Sequence, residues 1–432
     1  MKYNFHTIFK ICILIFIVLT LANFLSYYLN LKLFRRTNSV ISKSVDTKGI
    51  LNVKNNSRNR YTDEKQQFQV EIDGLMYPII IPLKDNRSLN FSFFNKESKT
   101  KLILYWTPFY DLDTFYYGLG KHTPFINNKC PVYNCEATKD KSRYGESDLV
   151  VFSLVNPIDM NEIPKYRNPN QEWAMVLIES PVNVPGSRFL DLHYNLSVTY
   201  RSDSDTYSHY AYENELVWAL NEEFDDKKDY LLNKSEFSVA LISNCHDKSG
   251  RLQYIKEMRK YVPVTIFGRC GDPCPKNGDC KEIVSKNYKF YLAFENSLCK
   301  DYITEKFFIS LRYDIIPVVL GIGDYEKFIP KSGFINVLDY ASPKELSEHL
   351  IYLSNNSTAY NSYFKWKKYV KRRSNKSINV NEDICELCIK LHADSYNGQK
   401  TKTRKSIANL ASFWNSEKDC KDVNDYPALK AK

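Results

Sequence analysis

Short apolar runs, each followed by polar residues, recur in the part of the chain that begins near residue 100. Three of them span 102–106, 148–155 and 173–180. Continuous apolar runs of this length predict strands that are buried on both faces of a sheet. With the loops or helices between them, these strands predict a first lobe of α/β architecture.

The same pattern returns after a polar, charged segment at 214–230, which we expect to join two domains. Further strands are predicted at 237–243, 264–268, 288–294 and 317–321. Apolar spacing and capping residues predict helices at 251–261, from about 301, and at 342–353. Two α/β lobes imply a cleft between them, and open α/β sheets bind ligands beyond the carboxyl ends of their strands.

The N-terminal region has a different pattern, because residues 11–29 contain no charge. A helix of this length rises roughly 28 Å, about the thickness of a bilayer core. We therefore expect a transmembrane signal anchor at 11–31, a cytoplasmic tail at 1–10 and a stem at 32–95 that is rich in Ser, Asn, Lys and Asp. The alternative for the apolar run is a cleaved signal peptide.

Charge and cysteine content narrow the possible compartments and partners. The net charge of +10 is spread along the chain, and basic clusters such as 365–373 have the composition of solvated helix faces, so we expect no nucleic-acid partner. Ten cysteines follow the predicted anchor, an even number that suits disulfides in an oxidising lumen. Two alternatives remain open, a redox-active Cys385-x-x-Cys388 and a zinc site formed by Cys270, Cys274, Cys280 and Cys299.

The stretch FENSLCKDYITEK, 294–306, concentrates polar chemistry between two predicted strands. Its polar side chains include Glu295, Asn296, Asp301, Tyr302, Glu305 and Lys306. If Asp301 caps the following helix, the helix N-terminus and Lys306 form a seat for a diphosphate, and a neighbouring carboxylate can accept hydrogen bonds from sugar hydroxyls. The alternative is an ordinary charged helix start.

An Asp-x-Asp at 203–205 could hold a divalent metal or form a solvated turn.

Several segments together resemble one known family. FENSLCKDYITEKFFISLRYDIIPVVLG, 294–321, resembles the signature of the α1,3-fucosyltransferases, Golgi enzymes that use GDP-fucose. IESP at 178–181, TYRSDSD at 199–205, and ISN at 242–244 with Arg251 seven positions beyond Asn244 extend the resemblance, which runs from about residue 102 to about residue 392. The cysteine-bearing segment at 267–280 is most similar to invertebrate members, including those that act on the N-glycan core.

The resemblance implies two Rossmann-like lobes of the GT-B type that face a cleft, an acceptor-side lobe at 96–225, a GDP-fucose lobe at 226–392 and a C-terminal tail at 393–432. It implies that Glu179 is the general base of an inverting transfer and that Arg251 and Lys306 bind the diphosphate. The remaining positions expected to contact the donor are Tyr200, Ser243, Asn244, Tyr291, Asn296, Tyr302 and Glu305. For Tyr200 and Tyr291, packed aromatic side chains are the alternative.

Further expectations follow from the same resemblance. Cys130 and Cys135 should pair with Cys385 and Cys388, which would tie the first lobe to the tail. No metal is obligatory, and Mn²⁺ is at most a stimulant. The protein should be a single-pass type II Golgi membrane protein that acts on N-glycans of glycoproteins. The expected acceptor is the core GlcNAc; the alternatives are an outer lactosamine-type GlcNAc and a catalytically inactive glycan-binding protein. Residues 153–165 lack the paired-histidine pattern of many vertebrate members, and 182–198 match only loosely.

Overall fold

The structure is a computed structural model that describes residues 67–72, 75–80, 91–110, 112, 115–156, 158–185, 192–208, 210, 216–218, 220–275, 279–372, 382–396, 407, 410–426 and 429. All of them lie in one compact unit, Arg58–Lys432. None of the helices in these residues is long and apolar enough to cross a membrane. The anchor predicted at 11–31 lies outside the described residues.

The first lobe is built on a seven-stranded sheet. Its strands are β3 (Lys101–Tyr105), β4 (Gly120–Lys121), β5 (Cys135–Thr138), β6 (Leu149–Ser153), β7 (Glu172–Leu177), β8 (Leu196–Thr199) and β9 (Thr206–Tyr207). Their order is β4-β5-β3-β6-β7-β8-β9, and every pair except β4–β5 is parallel. The strands β6, β7 and β8 are buried at every position, because helices and loops cover both faces of the sheet.

The second lobe contains a five-stranded parallel sheet. Its strands are β11 (Glu236–Leu241), β12 (Val264–Phe267), β13 (Tyr288–Phe294), β15 (Ile316–Leu320) and β16 (Ile335–Asn336), in the order β12-β11-β13-β15-β16. Short strands lie outside the two main sheets: β1 (Gln67–Ile72), β2 (Leu75–Ile80), β10 (Leu216–Trp218), β14 (Leu298–Cys299), β17 (Val370–Arg372) and β18 (Cys420–Lys421). The prediction of two parallel α/β sheets is therefore confirmed.

The helices are mostly short. They span α1 (Phe91–Lys96), α2 (Thr123–Asn127), α3 (Arg251–Met258), α4 (Cys280–Asn287), α5 (Glu305–Leu311), α6 (Pro343–Ser354), α7 (Ser357–Ser362), α8 (Glu382–Tyr396), α9 (Leu410–Phe413) and α10 (Ser416–Asp419). The predicted cap of α6 is confirmed, since the Ser342 hydroxyl accepts a hydrogen bond from the backbone N–H of Glu345 at 3.2 Å.

Helix α5 begins later than predicted. The expected start was Asp301, but Thr304 is the N-cap residue and the helix begins at Glu305. Asp301 instead has a left-handed backbone, with φ of 60°, and accepts a hydrogen bond from the Ser202 hydroxyl at 2.7 Å. A left-handed residue cannot belong to the first turn of a helix, so this contact between the lobes delays the helix by one turn.

Two segments differ in form from the sequence-based expectation. The antiparallel pair β1–β2 and helix α1 lie within the region treated as a stem. Helix α8 was assigned largely to the second lobe, but its buried residues Ile384, Leu387 and Leu391 belong to the apolar cluster that covers the first sheet. The disulfides Cys130–Cys385 and Cys135–Cys388 hold it there, so the predicted pairing is confirmed.

The other six cysteines among the described residues also form disulfides, and the two alternative roles are contradicted. Cys385 and Cys388 bond to different partners in the first lobe rather than to each other. The four cysteines of the zinc hypothesis are divided among three disulfides, Cys245–Cys270, Cys274–Cys280 and Cys299–Cys420. Disulfide sulfurs carry no thiolate for a metal, which excludes that ligand set.

Candidate functional site

Glu179 lies just beyond the carboxyl end of strand β7 and is the point where the two lobes meet. Its Oε2 accepts hydrogen bonds from the Tyr302 hydroxyl at 3.1 Å and from Nδ2 of Asn183 at 3.2 Å. Its Oε1 accepts a hydrogen bond from the Tyr110 hydroxyl at 2.9 Å. The carboxylate is partly buried and is oriented by three donors from three parts of the chain.

Two further contacts join the same edges. The Ser180 hydroxyl, next to Glu179, donates to the Ser297 hydroxyl at 2.8 Å. Nδ2 of Asn183 lies 3.3 Å from Oδ1 of Asn296. Both second-lobe residues follow strand β13, so the carboxyl ends of β7 and β13 face each other across hydrogen bonds. This is the edge at which open α/β sheets place their ligands.

Glu295 organises the second-lobe side of the site from a completely buried position. Its carboxylate accepts hydrogen bonds from the backbone N–H of Thr304 at 2.8 Å and from the Thr304 hydroxyl at 2.8 and 3.0 Å. Nζ of Lys306 lies 3.2 Å from Oε2 of Glu295 and 3.0 Å from Oε1 of Glu305. The lysine is therefore held between two carboxylates.

Burial and charge shift the pKa values of Glu295, Glu305 and Lys306 in different ways. Burial raises the pKa of Glu295, and the charge of Glu305 raises it further. Burial also favours the neutral form of Glu305, but the adjacent Lys306 ammonium outweighs it and lowers the pKa of Glu305. The two carboxylates together outweigh the effect of burial on Lys306 and raise its pKa. Lys306 therefore carries its positive charge at neutral pH.

Arg251, the first residue of α3, places a second cation at the same edge. Its side chain is 1% exposed and donates from Nη1 to the Phe294 carbonyl at 2.9 Å and from Nη2 to the Asn244 carbonyl at 3.0 Å. Its Nε has no hydrogen-bond partner among the described residues. Burial lowers the pKa of Arg251, although a guanidinium stays charged in proteins. Among the described residues, the hydrogen bonds of this guanidinium go to carbonyl oxygens and not to a carboxylate, which suits an anionic ligand.

The other predicted residues have diverse environments. Ser243 and Asn244 follow strand β11 at this edge and are exposed. Tyr302 is buried, and its ring packs 5.0 Å from that of Tyr200, which in turn packs 5.7 Å from Trp414. Tyr291 is buried in strand β13 within an apolar cluster and has no hydrogen bond to another predicted site residue among those described. Tyr200 and Tyr291 thus have the packed environment of the alternative interpretation.

The Asp-x-Asp segment is used for internal contacts. Asp203 pairs with Arg201 at 2.8 Å, and Oδ2 of Asp205 accepts hydrogen bonds from the backbone N–H of Ser197 at 3.0 Å and from its hydroxyl at 2.8 Å. The clustering of these carboxylates is therefore explained without a ligand.

The C-terminal segment, predicted as a tail, supports the site. Nε1 of Trp414 donates to the Val184 carbonyl at 2.9 Å. Asp419 pairs with the buried Arg201, and Cys420 is bonded to Cys299, five residues after Phe294. Strands β14 and β18 pair at this disulfide. Residues 414–420 thus pack against both lobes beside Tyr302.

Sequence reasoning left Tyr110, Asn183, Thr304 and Trp414 out of the site and gave Glu295 no role in it. Glu295 had a signal, because a glutamate that directly follows a buried strand must find a buried partner or face the cleft. Tyr110 and Trp414 had none, since their contacts join residues far apart in the sequence; Tyr110 and Glu179 are 69 positions apart. Asn183 and Thr304 had a local signal, because Asn183 lies four residues after Glu179 and Thr304 caps α5 two residues before Lys306.

Two parallel sheets whose carboxyl ends meet define a two-lobe α/β protein, with a carboxylate on one lobe and a lysine–arginine pair on the other. Residues 98–211 match the family described as fucosyltransferase, N-terminal, and residues 231–412 match glycosyltransferase family 10 (fucosyltransferase) C-term. The protein is 34% identical over 322 residues to a 4-galactosyl-N-acetylglucosaminide 3-alpha-L-fucosyltransferase of Gorilla gorilla gorilla. The aligned residues cover 72% of this chain and 79% of the gorilla protein. The chain therefore belongs to the family 10 fucosyltransferases.

Two other similarities extend this comparison. The glycoprotein 3-alpha-L-fucosyltransferase A of Drosophila melanogaster is 34% identical over 305 residues, which cover 68% of this chain but only 57% of that protein's length. A crystal structure of an alpha1,3-fucosyltransferase with GDP-fucose aligns with a TM-score of 0.47 and 18% identity, and covers 69% of this chain and 91% of that one.

Proposed function

We propose that this protein transfers L-fucose from GDP-fucose to the 3-hydroxyl of a GlcNAc residue, and that this residue is the core GlcNAc of glycoprotein N-glycans. The observation that carries the proposal is the hydrogen bond of 3.1 Å between Tyr302 and Glu179. It brings a carboxylate of the first lobe beside the segment that carries Lys306. Family membership supports the reaction, and the name of the Drosophila relative favours a glycoprotein as the acceptor.

On the acceptor side, Glu179 acts as the general base. A sugar hydroxyl is a poor nucleophile, and a positioned carboxylate assists it by taking its proton as the bond forms. The acceptor oxygen bonds to C1 of fucose while the bond from C1 to the β-phosphate oxygen breaks, so the configuration at C1 inverts. The hydroxyl proton passes to Glu179 and the electron pair of the broken bond leaves with GDP.

On the donor side, Arg251 and Lys306 bind the diphosphate and stabilise the charge that develops on departing GDP. The two carboxylates near Lys306 hold its ammonium in place before the donor arrives. We assign donor contacts also to Ser243, Asn244, Asn296, Tyr302 and Glu305. The other two predicted positions, Tyr200 and Tyr291, are packed aromatic side chains, and we assign them a supporting role behind these contacts. Two protein cations meet the diphosphate charge, so Mn²⁺ is at most a stimulant of the reaction.

The domain and membrane organisation that we propose follows the assignment made from the sequence, except for helix α8. Residues 96–225, with helix α8 packed against them, form the acceptor-side lobe, and residues 226–372 form the GDP-fucose lobe of a GT-B protein. Residues 1–10 are the cytoplasmic tail, 11–31 the membrane anchor and 32–95 the stem. The protein is a single-pass type II protein of the Golgi membrane, with its catalytic part in the lumen. The ten cysteines that form five disulfides support an oxidising compartment.

A second acceptor is also a candidate. The gorilla relative, whose name specifies a 4-galactosyl-N-acetylglucosaminide, shares the same 34% identity as the Drosophila relative. This favours an outer lactosamine-type GlcNAc as the alternative to the core residue.

The test is an assay of the full-length chain, purified in detergent, with GDP-fucose and two defined acceptors: an N-glycan core and an N-acetyllactosamine oligosaccharide. GDP release and the linkage of the product are measured, with Glu179→Gln as the matched variant. We expect fucose on the 3-hydroxyl of the core GlcNAc and a loss of kcat of about 10²-fold or more in the variant.

The outcomes separate the parts of the proposal. Fucose transferred only to lactosamine would replace the core acceptor by the outer one. If fucose is transferred to neither acceptor, the proposed enzymatic activity is refuted and the glycan-binding alternative is favoured. Full activity in Glu179→Gln would remove Glu179 from the role of base.

A further inference from the structure

Tyr110 occupies the exposed side of Glu179. Its hydroxyl donates to Oε1 at 2.9 Å, whereas Oε2 accepts its two hydrogen bonds from Tyr302 and Asn183. The Tyr110 side chain is 42% exposed, although Tyr302 is buried. An approaching hydroxyl therefore reaches the carboxylate most readily at Oε1, where Tyr110 already donates.

The loop that carries Tyr110 is held in a specific conformation. Phe109 and Leu112 exchange backbone hydrogen bonds of 3.0 and 3.3 Å, which close a tight turn around Tyr110. Within it Tyr110 has φ of 51°, a left-handed conformation that is uncommon for a bulky residue, and its carbonyl accepts a hydrogen bond from Nδ2 of Asn156 at 2.6 Å. Backbone strain of this kind often occurs where a side chain must be placed for function.

We propose that the Tyr110 hydroxyl fills the hydrogen-bond position of the acceptor hydroxyl on Glu179 while the acceptor is absent, and yields it when the acceptor binds. This inference rests on the proposed function of Glu179 as the base. Tyr110 is then a positioning residue that governs access to the base and leaves the transfer step itself unchanged.

The consequence of this hydrogen bond is that water is kept out of the acceptor position. A water molecule in the acceptor position would attack C1 of fucose, give its proton to Glu179 and release GDP, so that the donor would be hydrolysed without transfer. Tyr110 keeps that position filled by a hydroxyl that already donates its proton to Oε1 of Glu179. Burial and the Glu179 charge raise the pKa of Tyr110, so its hydroxyl remains a donor at neutral pH.

The experiment compares the full-length wild type with Tyr110→Phe, which keeps the ring and removes the hydroxyl. Tyr261→Phe, at an exposed tyrosine on the second lobe, is the matched control. GDP release from GDP-fucose is measured without acceptor, and KM and kcat are measured with the acceptor that the wild type uses. Calorimetric titration with GDP checks that each variant retains its fold.

For Tyr110→Phe we expect hydrolysis without acceptor to rise about tenfold and the acceptor KM to fall, with kcat of transfer and GDP affinity within about twofold of wild type. Unchanged hydrolysis, an increased acceptor KM or a reduced kcat would each overturn the inference, because the hydroxyl would then be idle or would act in the transfer step. A wild-type chain that neither transfers nor hydrolyses would instead refute the proposed function, and this inference with it.

Discussion

The hydroxyl of Tyr302 lies 3.1 Å from Oε2 of Glu179, although the two residues are 123 positions apart. Tyr302 follows the short strand β14, eight residues beyond the end of β13 in the second sheet, and Glu179 follows strand β7 of the first sheet. The ring of Tyr302 is fixed by its packing against Tyr200 and Tyr210. A rigid phenol from one lobe thus orients the carboxylate of the other.

Replacing Tyr302 with Phe removes this donor and keeps the ring. A hydrogen bond to a charged group contributes ~1.5–3 kcal/mol, so we expect kcat/KM to fall roughly 10- to 100-fold. Initial-rate kinetics provide the measurement. The control is Tyr194→Phe, because the buried Tyr194 hydroxyl has no partner among the described residues. Equal effects of the two substitutions would contradict a specific role of Tyr302.

Replacing Glu295 with Gln keeps the shape of the side chain and removes its charge. Lys306 then retains only the more exposed Glu305 as an ion-pair partner, so we expect the KM for GDP-fucose to rise about tenfold and the free energy of unfolding to fall by ~2 kcal/mol. Donor-dependent kinetics and chemical unfolding measure the two effects. The control is Glu282→Gln, in the exposed Glu282–Lys286 pair, with an expected loss below ~0.5 kcal/mol. An unchanged donor KM would show that Glu295 does not position Lys306.

The ion pair between Arg201 and Asp419 should stabilise the protein strongly, because their side chains are only 3% and 5% exposed. Asp419→Asn leaves the buried guanidinium with only the half-exposed Asp203 as an ion-pair partner among the described residues, and we expect a loss of ~3 kcal/mol in the free energy of unfolding. Asp203→Asn breaks the other ion pair of Arg201, but Asp203 is 47% exposed, so the expected loss stays below ~1 kcal/mol. Thermal unfolding of both variants makes the comparison, and a reversed order would contradict this account.

The disulfides should differ in their contributions according to the chain length that they enclose. Cys299–Cys420 spans 121 residues and Cys274–Cys280 spans 6. The chain-entropy relation then gives about 5 and about 2.2 kcal/mol for the two bonds. We expect the melting temperature of Cys299→Ser/Cys420→Ser to fall further than that of Cys274→Ser/Cys280→Ser. The opposite order in calorimetry would indicate that the C-terminal segment is held by its other contacts.

Lys234 gives the protein a pH-dependent stability. Burial lowers its pKa from 10.5 to about 8, and its ammonium donates to the Tyr288 carbonyl at 3.0 Å. Between pH 8 and 10.5 the unfolded chain binds more protons than the folded one, so the free energy of unfolding rises with pH in this window. We expect this rise, ~3 kcal/mol between pH 7 and 10.5, to be absent in Lys234→Met.

Unfolding by denaturant at several pH values between 7 and 10.5 measures this slope. Lys327→Met, at an exposed lysine, is the control and should parallel the wild type. Parallel curves for Lys234→Met and the wild type would refute the role of Lys234.

The sequence determined the strands well, because burial on both faces leaves a continuous apolar run that needs no knowledge of its neighbours. The run at 288–294 is predicted and observed with the same bounds, and the cap at Ser342 is a local signal of the same kind. The predicted start of α5 was wrong, because the backbone of Asp301 is set by its contact with Ser202 on the other lobe. The helix propensities of the neighbouring residues carry no information about a hydrogen bond from a distant turn.

The sequence alone also located the polar edge at 294–306 and, through family resemblance, singled out Glu179, Arg251 and Lys306. Only the tertiary structure decided which groups touch: Tyr302 and Tyr110 on Glu179, Glu295 on Lys306, and the C-terminal Asp419 on Arg201. The physical reason is that the contacts to Glu179 and Arg201 close long loops of chain, and that the contact of Tyr302 with Glu179 also requires the two lobes to meet. Glu295 and Lys306 are close in the sequence, but their ion pair depends on the buried turn between strand β13 and helix α5.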